Sequence, residues 1–443
     1  MSKLLVIIFA IKTTGDQAMR IVNAVALTLL VSVTASAGDW AQLRGPNFDG
    51  SSDETNLPSN WSRTENIAWS VDLPGVSGST PIVSGDHVFV SSTDTKNESL
   101  VALCFDRTKG KLRWSHKIAD GIRKDSRSTF AAPTPATDGK VVVFFYGNGD
   151  LIGYDFDGQE VWSKNVGPFA FGWTFSTSPV IYKGKLYLQV LQNRSRNTDS
   201  YILALNPATG DELWRHVRPS KAVGESLEAF TTPTPYVHNG REQLLINGGD
   251  ACTGHDLESG KELWRWETWN PAKIGHWRLV PSPVAGGGVV LLCAPKKSPI
   301  YAVPTDKSGT LKDADLHWVS EEDRNLTSDV PTPAFYDGDF FILSKSRRIV
   351  SRVEPKSGKV KWTTQIESRA VLESSPMCAD GKVYLLNFDG EATVVNAKDG
   401  KVISTIPMED KERIGDGPIR SSIIAASGNL YIRTNSKLYC VGK

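Results

Sequence analysis

The chain consists largely of short runs in which apolar and polar residues alternate, separated by Gly, Pro, Asn and Asp. The segment from Ser178 to Trp214 shows the pattern. An apolar run after Ser178-Pro179 leads to a turn at Lys183-Gly184-Lys185, to the alternating run Leu186 to Val190, and to two further runs. Alternation with a period of two residues, interrupted by turn residues, predicts β-strands. No stretch long enough for an amphipathic helix intervenes, so we predict units of four short antiparallel strands.

The unit is repeated along the chain. In most copies a tryptophan ends a phrase that begins with glycine, as in Gly210-Asp-Glu-Leu-Trp214. These tryptophans are Trp69, Trp114, Trp162, Trp214, Trp264, Trp318 and Trp362. A Ser/Thr-Pro pair opens the first strand of the copies at Pro81, Pro135, Pro179, Pro235, Pro283, Pro333 and Pro376, and Ser422-Ile423 takes that place in the last. A period of roughly 40–50 residues indicates stacked copies of one unit. Four-stranded units arranged radially are propeller blades, so we predict an all-β, eight-bladed β-propeller.

The two ends of the chain are predicted to share a blade. The eighth copy ends after its third strand, and Asn66 to Trp69 carries the repeat tryptophan ahead of the first complete copy. We predict that this N-terminal strand completes the last blade, because an open ring would leave two sheet edges unpaired. Two copies depart from the pattern, with Ala314 in place of the turn glycine and Ser404 in place of tryptophan. The repeated Trp, Gly and Pro residues are interpreted as structural.

The first 37 residues are predicted to be a signal peptide. Met19-Arg20 precedes the apolar run Ile21 to Val33 and the A-x-A site Ala35-Ser36-Ala37, which places the cut after Ala37. An uncleaved membrane anchor is the alternative, although the run is shorter than the ~20 residues of a spanning helix. The start at Met1 or Met19 stays open. We therefore expect a periplasmic or secreted monomer with a lead-in segment at 38–65 and the propeller at 66–443.

The composition and the absence of known motifs argue against several classes of function. The 50 basic and 49 acidic residues leave no basic footprint for nucleic acid or anionic lipid. The five cysteines are widely separated and lie in or beside apolar runs. We interpret them as buried free thiols, although an exported protein could form disulfides. The seven histidines show no metal-ligand spacing, and no hydrolase elbow or phosphate loop is present.

The phrase D/N-x-x-x-G-K-x-x-W after a strand resembles the pyrroloquinoline-quinone-type propeller repeat, most closely at Asn206–Trp214 and Asp256–Trp264. The lead-in from Trp40 to Gly50 is similar to that of exported bacterial members. The repeat family includes quinoprotein alcohol dehydrogenases and non-enzymatic exported propellers such as the outer-membrane-protein assembly factor B family.

The resemblance implies which residues a quinoprotein dehydrogenase would need in order to bind its cofactor. In the dehydrogenases the quinone stacks between a tryptophan and a disulfide of two adjacent cysteines, and Glu, Asn and Asp hold calcium. This chain has no adjacent cysteines, and no stretch carries the calcium ligands over by position. We therefore expect no catalytic residue, metal or cofactor. The alternative is a dehydrogenase of alcohols or sugars that uses pyrroloquinoline quinone with Ca²⁺.

The segments before the Ser/Thr-Pro pairs differ among the copies and are predicted to line one mouth of the central channel. The candidate binding residues there are Arg127, Trp173, His276, Trp277, Arg278, Asp329, Arg369 and Arg420. Arg and Trp are enriched at binding hot spots, and arginine binds carboxylates through two hydrogen bonds. Alternatively, the arginines pair with neighbouring acidic residues and the aromatic residues pack between blades.

We predict a non-catalytic scaffold resembling the outer-membrane assembly propellers. Its expected partner is an envelope protein or a small anionic ligand at the mouth. The outer edges of the blades are a second possible surface, because an exposed edge can accept an extended segment of another protein.

Overall fold

The computed structural model describes residues 38–442 apart from 126, 193–197, 322, 324 and 409–416, so the predicted signal peptide lies outside the described residues. Strands form eight sheets, which we number as blades 1 to 8 in chain order. The predicted eight-bladed, all-β propeller is confirmed. Within the described ranges, helical structure is limited to the 3₁₀ turns Gly224–Leu227 and Asp313–Asp315, and no helix there is long and apolar enough to cross a membrane.

Each blade is an antiparallel sheet whose strands follow one another from the channel outwards. Blade 1 contains β2 (Ile82–Ser84), β3 (His87–Asp94), β4 (Ser99–Asp106) and β5 (Leu112–Asp120); blade 2 contains β6 (Ala136–Thr137), β7 (Val141–Phe145), β8 (Asp150–Asp155) and β9 (Glu160–Asn165). Blade 3 contains β10 (Val180–Tyr182), β11 (Lys185–Val190), β12 (Tyr201–Leu205) and β13 (Glu212–Val217); blade 4 contains β14 (Thr234–His238), β15 (Arg241–Gly248), β16 (Ala251–His255) and β17 (Glu262–Trp266).

The second half of the ring repeats this order. Blade 5 contains β18 (Val284–Gly286), β19 (Val289–Cys293), β20 (Ile300–Pro304) and β22 (Trp318–Val319); blade 6 contains β23 (Ala334–Tyr336), β24 (Asp339–Ser344), β25 (Ile349–Val353) and β26 (Val360–Gln365). Blade 7 contains β27 (Met377–Ala379), β28 (Lys382–Leu386), β29 (Glu391–Asn396) and β30 (Val402–Pro407); blade 8 contains β31 (Ile424–Ala426), β32 (Asn429–Arg433), β33 (Lys437–Val441) and β1 (Ile67–Asp72). A short strand from blade 5, β21 (Gly309–Thr310), pairs in parallel with the outer edge of β17.

The predicted closure of the ring is confirmed, because β1 pairs antiparallel with β33, with Ser70 opposite Tyr439. A buried guanidinium also crosses this seam. Arg433 donates from β32 to the Ser91 carbonyl at 2.6 Å and the Ser92 hydroxyl at 3.0 Å in blade 1. Burial lowers the pKa of Arg433 to about 9.

The repeat tryptophans join neighbouring blades, as their structural interpretation requires. Trp162, for example, donates its indole N–H to the carbonyl of Pro207 in the next blade at 2.8 Å. The repeat glycine lies against the ring: a Cβ on Gly210 would lie 2.6 Å from Trp162, and the glycine has a φ of 72°. The same pairing recurs for Trp69, Trp114, Trp214, Trp318 and Trp362.

Trp264 is the exception. It faces the copy that carries Ala314, and it donates instead to Gln243 of its own blade at 2.7 Å. Where Ser404 replaces the tryptophan of blade 7, the lead-in occupies the space. The Ser404 hydroxyl donates to the carbonyl of Ser59, and the nearby Trp61 is buried.

The Ser/Thr-Pro positions form a closed ring of hydrogen bonds around the channel. In each blade the backbone N–H of the Ser or Thr donates to the corresponding hydroxyl of the next blade, at 2.9–3.1 Å. We call the eight side chains the hydroxyl ring: Thr80, Thr134, Ser178, Thr232, Ser282, Thr332, Ser375 and Ser422. The pair chosen from the sequence in the fourth copy is corrected, because Thr232-Pro233 occupies the ring position and Pro235 lies inside β14.

The lead-in crosses the channel from one side of the ring to the other. The Oε1 atom of Gln42 accepts the backbone N–H of Ile181 in blade 3 at 2.9 Å. The buried guanidinium of Arg44 donates to the carbonyls of Pro333 in blade 6 at 2.8 Å and Pro376 in blade 7 at 3.0 Å. The lead-in therefore spans blades on opposite sides of the axis.

All five cysteines are free and buried, as predicted. Burial raises the pKa of every one of them, to about 12 for Cys104. The thiols therefore belong to the packed interior and stay protonated near neutral pH.

Candidate functional site at the channel mouth

A cavity of about 270 Å³ lies on the propeller axis and is lined by residues from all eight blades. We call it the channel-mouth cavity. Leu43 of the lead-in lines it as well, as do five members of the hydroxyl ring, Thr80, Thr134, Ser178, Ser375 and Ser422. The lead-in thus contributes a wall to the cavity, and the connections that precede the first strands surround its opening.

Six of the eight residues selected from the sequence line this cavity: Arg127, Trp173, His276, Arg278, Asp329 and Arg420. Trp277 and Arg369 are not among its lining residues. The Trp277 ring stacks on Trp269, with centroids 6.0 Å apart and planes within 3°. Neighbouring side chains of an extended segment point in opposite directions, so Arg278 faces the channel and Trp277 does not. Arg369 is exposed outside the cavity.

Part of the charge at the mouth is neutralised internally. The carboxylate of Glu373, whose side chain is only 5% exposed, lies 2.7 Å from the Lys345 ammonium and 2.9 Å from the Arg420 guanidinium. Lys345 also lies 3.5 Å from Asp329. The alternative of internal pairing therefore holds for Arg420.

Arg278 is held in a comparable way on the other side of the cavity. Its guanidinium lies 2.6 Å from the Glu225 carboxylate and 5.1 Å from the centroid of the Trp173 ring, within the range of a cation–π contact. Arg278 therefore keeps Trp173 and the Glu225 segment together at the rim.

Two cations at the mouth have no such partner among the described residues. The side chains of Arg127 and Lys296 line the cavity and form no ion pair with any residue in the described part of the chain. With Lys345, Arg278 and Arg420 they make five cationic side chains in the lining, against the carboxylates of Asp329 and Glu373. The cavity therefore has a net positive lining.

Asp125 fixes the position of the Arg127 segment. Its Oδ1 atom accepts the Arg127 N–H at 2.7 Å, and its Oδ2 atom accepts the N–H and hydroxyl of Thr174 in blade 3, at 2.8 and 2.6 Å. Burial alone would raise the pKa of Asp125, but these hydrogen bonds outweigh it and lower the pKa. Asp125 thereby ties the mouth segments of blades 2 and 3 together.

The candidate binding residues selected from the sequence do not include Asp125, Lys296 or Lys345. Lys296 follows β19 and Lys345 follows β24, so both lie between the second and third strands of their blades. Since strand direction alternates within a blade, these connections open on the same face as the segments that precede the first strands. The alternation of strand direction is therefore the feature of the sequence from which Lys296 and Lys345 could be predicted to lie at the mouth.

The described lining does not supply the calcium ligands or the disulfide of adjacent cysteines that the dehydrogenases use. Its two carboxylates, Asp329 and Glu373, are engaged by lysine and arginine side chains. No group of three His, Cys, Asp or Glu side chains in the described ranges could hold a metal ion. The cysteines, finally, are separate buried thiols and not a stacked disulfide.

Fold and repeat define a quinoprotein-like β-propeller with a cavity on its axis. The model of the family described as outer membrane protein assembly factor BamB matches residues 59–194, 97–324 and 311–442, and the chain belongs to that family. A curated relative, tetrathionate hydrolase of Acidithiobacillus ferrooxidans, is 27% identical over 165 residues. That match covers 34% of this chain and 30% of the relative.

Solved structures share the fold. A europium-containing methanol dehydrogenase is 12% identical with a TM-score of 0.66, each chain being covered to 89%. BamB from Moraxella catarrhalis is 15% identical with a TM-score of 0.57, over 84% of this chain and 96% of that one. Quinohemoprotein alcohol dehydrogenase from Comamonas testosteroni is 14% identical with a TM-score of 0.61, over 93% and 82%. At these identities the similarity concerns the fold alone.

Proposed function

We propose that this protein is a non-catalytic binding propeller of the cell envelope, which holds a partner protein at its channel mouth. The observation that supports the proposal is which charged side chains at the mouth form ion pairs and which do not. The lining carboxylates that could act as acid, base or metal ligand are held by Lys345 and Arg420, whereas the side chains of Arg127 and Lys296 form no ion pair within the described ranges. Membership of a family described as an outer-membrane-protein assembly factor supports the same assignment.

A photo-activatable cross-linking residue placed on the rim would test the proposal in intact cells. Lys297 is suitable, because it is exposed beside Lys296 and does not itself line the cavity. Lys401, which is 83% exposed in the connection between β29 and β30, is the matched control on the opposite face. A defined adduct with an envelope protein is expected from position 297 and not from position 401.

A third position distinguishes the mouth from the outer edges of the blades. Val161 is 47% exposed on β9, the outermost strand of blade 2. An adduct from position 161 together with none from position 297 would contradict the proposal and assign the partner to the blade edges.

The alternative, a quinone-dependent dehydrogenase, is tested by calorimetric titration of residues 38–443 with pyrroloquinoline quinone, with and without calcium. Because the lining carboxylates already have cationic partners, we expect no binding that depends on calcium. Calcium-dependent binding at micromolar concentrations would favour the enzyme and require an assay of alcohol oxidation.

A further inference from the structure

The hydroxyl ring has unused donors. Each of its eight hydroxyl oxygens accepts a backbone N–H from the preceding blade, and none of the eight donates a hydrogen bond to another described residue. A hydroxyl group carries one proton to donate. Three of the members that line the cavity are more than nine-tenths buried: Thr80 is 4% exposed, Thr134 1% and Ser178 3%. Their protons therefore require an acceptor inside the channel-mouth cavity.

The charge of the lining specifies the kind of acceptor. Five cationic side chains and two carboxylates line the cavity, and Glu225 pairs with Arg278 from outside the lining. The side chains of Arg127 and Lys296 form no ion pair in the described part of the protein. A neutral acceptor would satisfy the hydroxyls and leave this excess charge unbalanced. An oxyanion satisfies both, because O–H···O⁻ and N⁺–H···O⁻ hydrogen bonds are the strong charge-assisted kind.

We propose that the channel-mouth cavity is a carboxylate-binding site. Hydroxyls of the ring, among them Thr134 and Ser178, donate to the carboxylate oxygens, and Arg127 and Lys296 balance the charge. A volume of about 270 Å³ suits a small dicarboxylate or a single acidic side chain. The carboxylate comes either from a free small molecule or from the partner protein, and the second source rests on the function proposed above.

Calorimetric titration of residues 38–443 with succinate tests the site, and succinamide, which has the same shape without the charge, is the control ligand. Succinate should bind and succinamide should not. The double variant Arg127→Gln/Lys296→Gln should weaken succinate binding about tenfold or more, as expected when two charged hydrogen bonds are lost. Lys401→Gln, which removes an exposed cation far from the cavity, should leave binding unchanged.

The ring itself is tested by Thr134→Val, which removes a donor at nearly constant volume, against Thr134→Ser, which keeps it. Binding should weaken in the first variant and persist in the second. Since Thr134→Val also removes the acceptor of the Thr80 N–H, its fold must first be verified by circular dichroism. Equal binding of succinate and succinamide, or no response to the double variant, would overturn the proposal.

Cross-linking from position 297 in the presence of succinate identifies the source. Loss of the adduct would show that a partner carboxylate enters the same cavity. An adduct that persists while succinate is bound would identify a free small molecule. Succinate binding without any adduct would support the carboxylate site and contradict the proposal that a partner protein is held at the channel mouth. The chain could also form the adduct but bind no succinate, with the adduct unaffected by the double variant. That result would overturn the carboxylate site and leave the proposed partner protein in place.

Discussion

At the scale of single residues, Glu373 holds two cationic side chains in place at the channel mouth. Its buried carboxylate lies between Lys345 and Arg420, both of which are 20% exposed. Glu373→Gln would remove the charge that holds both cations. Loss of one partner from a buried ion pair costs about 3–5 kcal/mol, and the partial exposure of the two cations reduces this to about 1–3 kcal/mol. Urea-induced unfolding should show a destabilisation of that size.

Glu225→Gln is the matched control, since Glu225 pairs with Arg278 but is 42% exposed. An exposed pair contributes about 0–1 kcal/mol. If the Glu373 variant is no less stable than the Glu225 variant, the buried carboxylate does not organise the mouth.

Among the elements, the lead-in bears on both stability and the cavity. Arg44 holds it to blades 6 and 7, and burial lowers the pKa of this guanidinium to about 10. Arg44→Met would keep most of the side-chain volume but leave two buried carbonyls without their donor, at a cost of about 1–3 kcal/mol. The variant should unfold at lower urea concentration.

Lys382→Met is a useful comparison for Arg44→Met. The Lys382 ammonium contacts the Leu57 carbonyl and the Asp380 carboxylate, so it holds a later part of the lead-in to blade 7. A smaller loss is expected, because the Lys382 side chain is 17% exposed and water can replace its hydrogen bonds. Equal losses would argue against a special role for the axial segment.

The strands could be predicted from the sequence because each blade repeats a local pattern, and the shared eighth blade followed from counting strands at the two ends. The path of the lead-in could not. It has no alternation, and its hydrogen bonds join Gln42 to Ile181 and Arg44 to Pro376, far apart in the chain. The hydroxyl ring was missed for a similar reason. In the sequence, Ser or Thr before proline indicates only the start of a strand, and the assembled ring is needed to show that each hydroxyl accepts a hydrogen bond from the neighbouring blade.

In the whole molecule, burial sets how stability responds to pH. Burial lowers the pKa of His87, His216 and His317, and it lowers that of His255 well below its ordinary value. His255 is enclosed in blade 4, where Nδ1 donates to the Gly260 carbonyl at 3.0 Å and Nε2 accepts from the Thr253 hydroxyl at 2.9 Å. Such a histidine stays neutral in the folded protein and takes up a proton on unfolding.

The histidine contribution to stability should therefore be fully present above the unfolded histidine pKa of about 6.5 and should decrease as the pH falls below it, because the unfolded chain then binds more protons. One such histidine contributes a slope of about 1.4 kcal/mol per pH unit. Burial raises the pKa of Asp49 and Asp250, and these carboxyls oppose the trend, because the folded chain binds their protons more readily than the unfolded chain does. Urea unfolding between pH 7.5 and 5.5, on the unmodified chain and on His255→Gln, measures the slope. The slope should be smaller in the variant by the contribution of one histidine, about 1.4 kcal/mol per pH unit. An unchanged slope in His255→Gln would mean that His255 is already charged in the folded state.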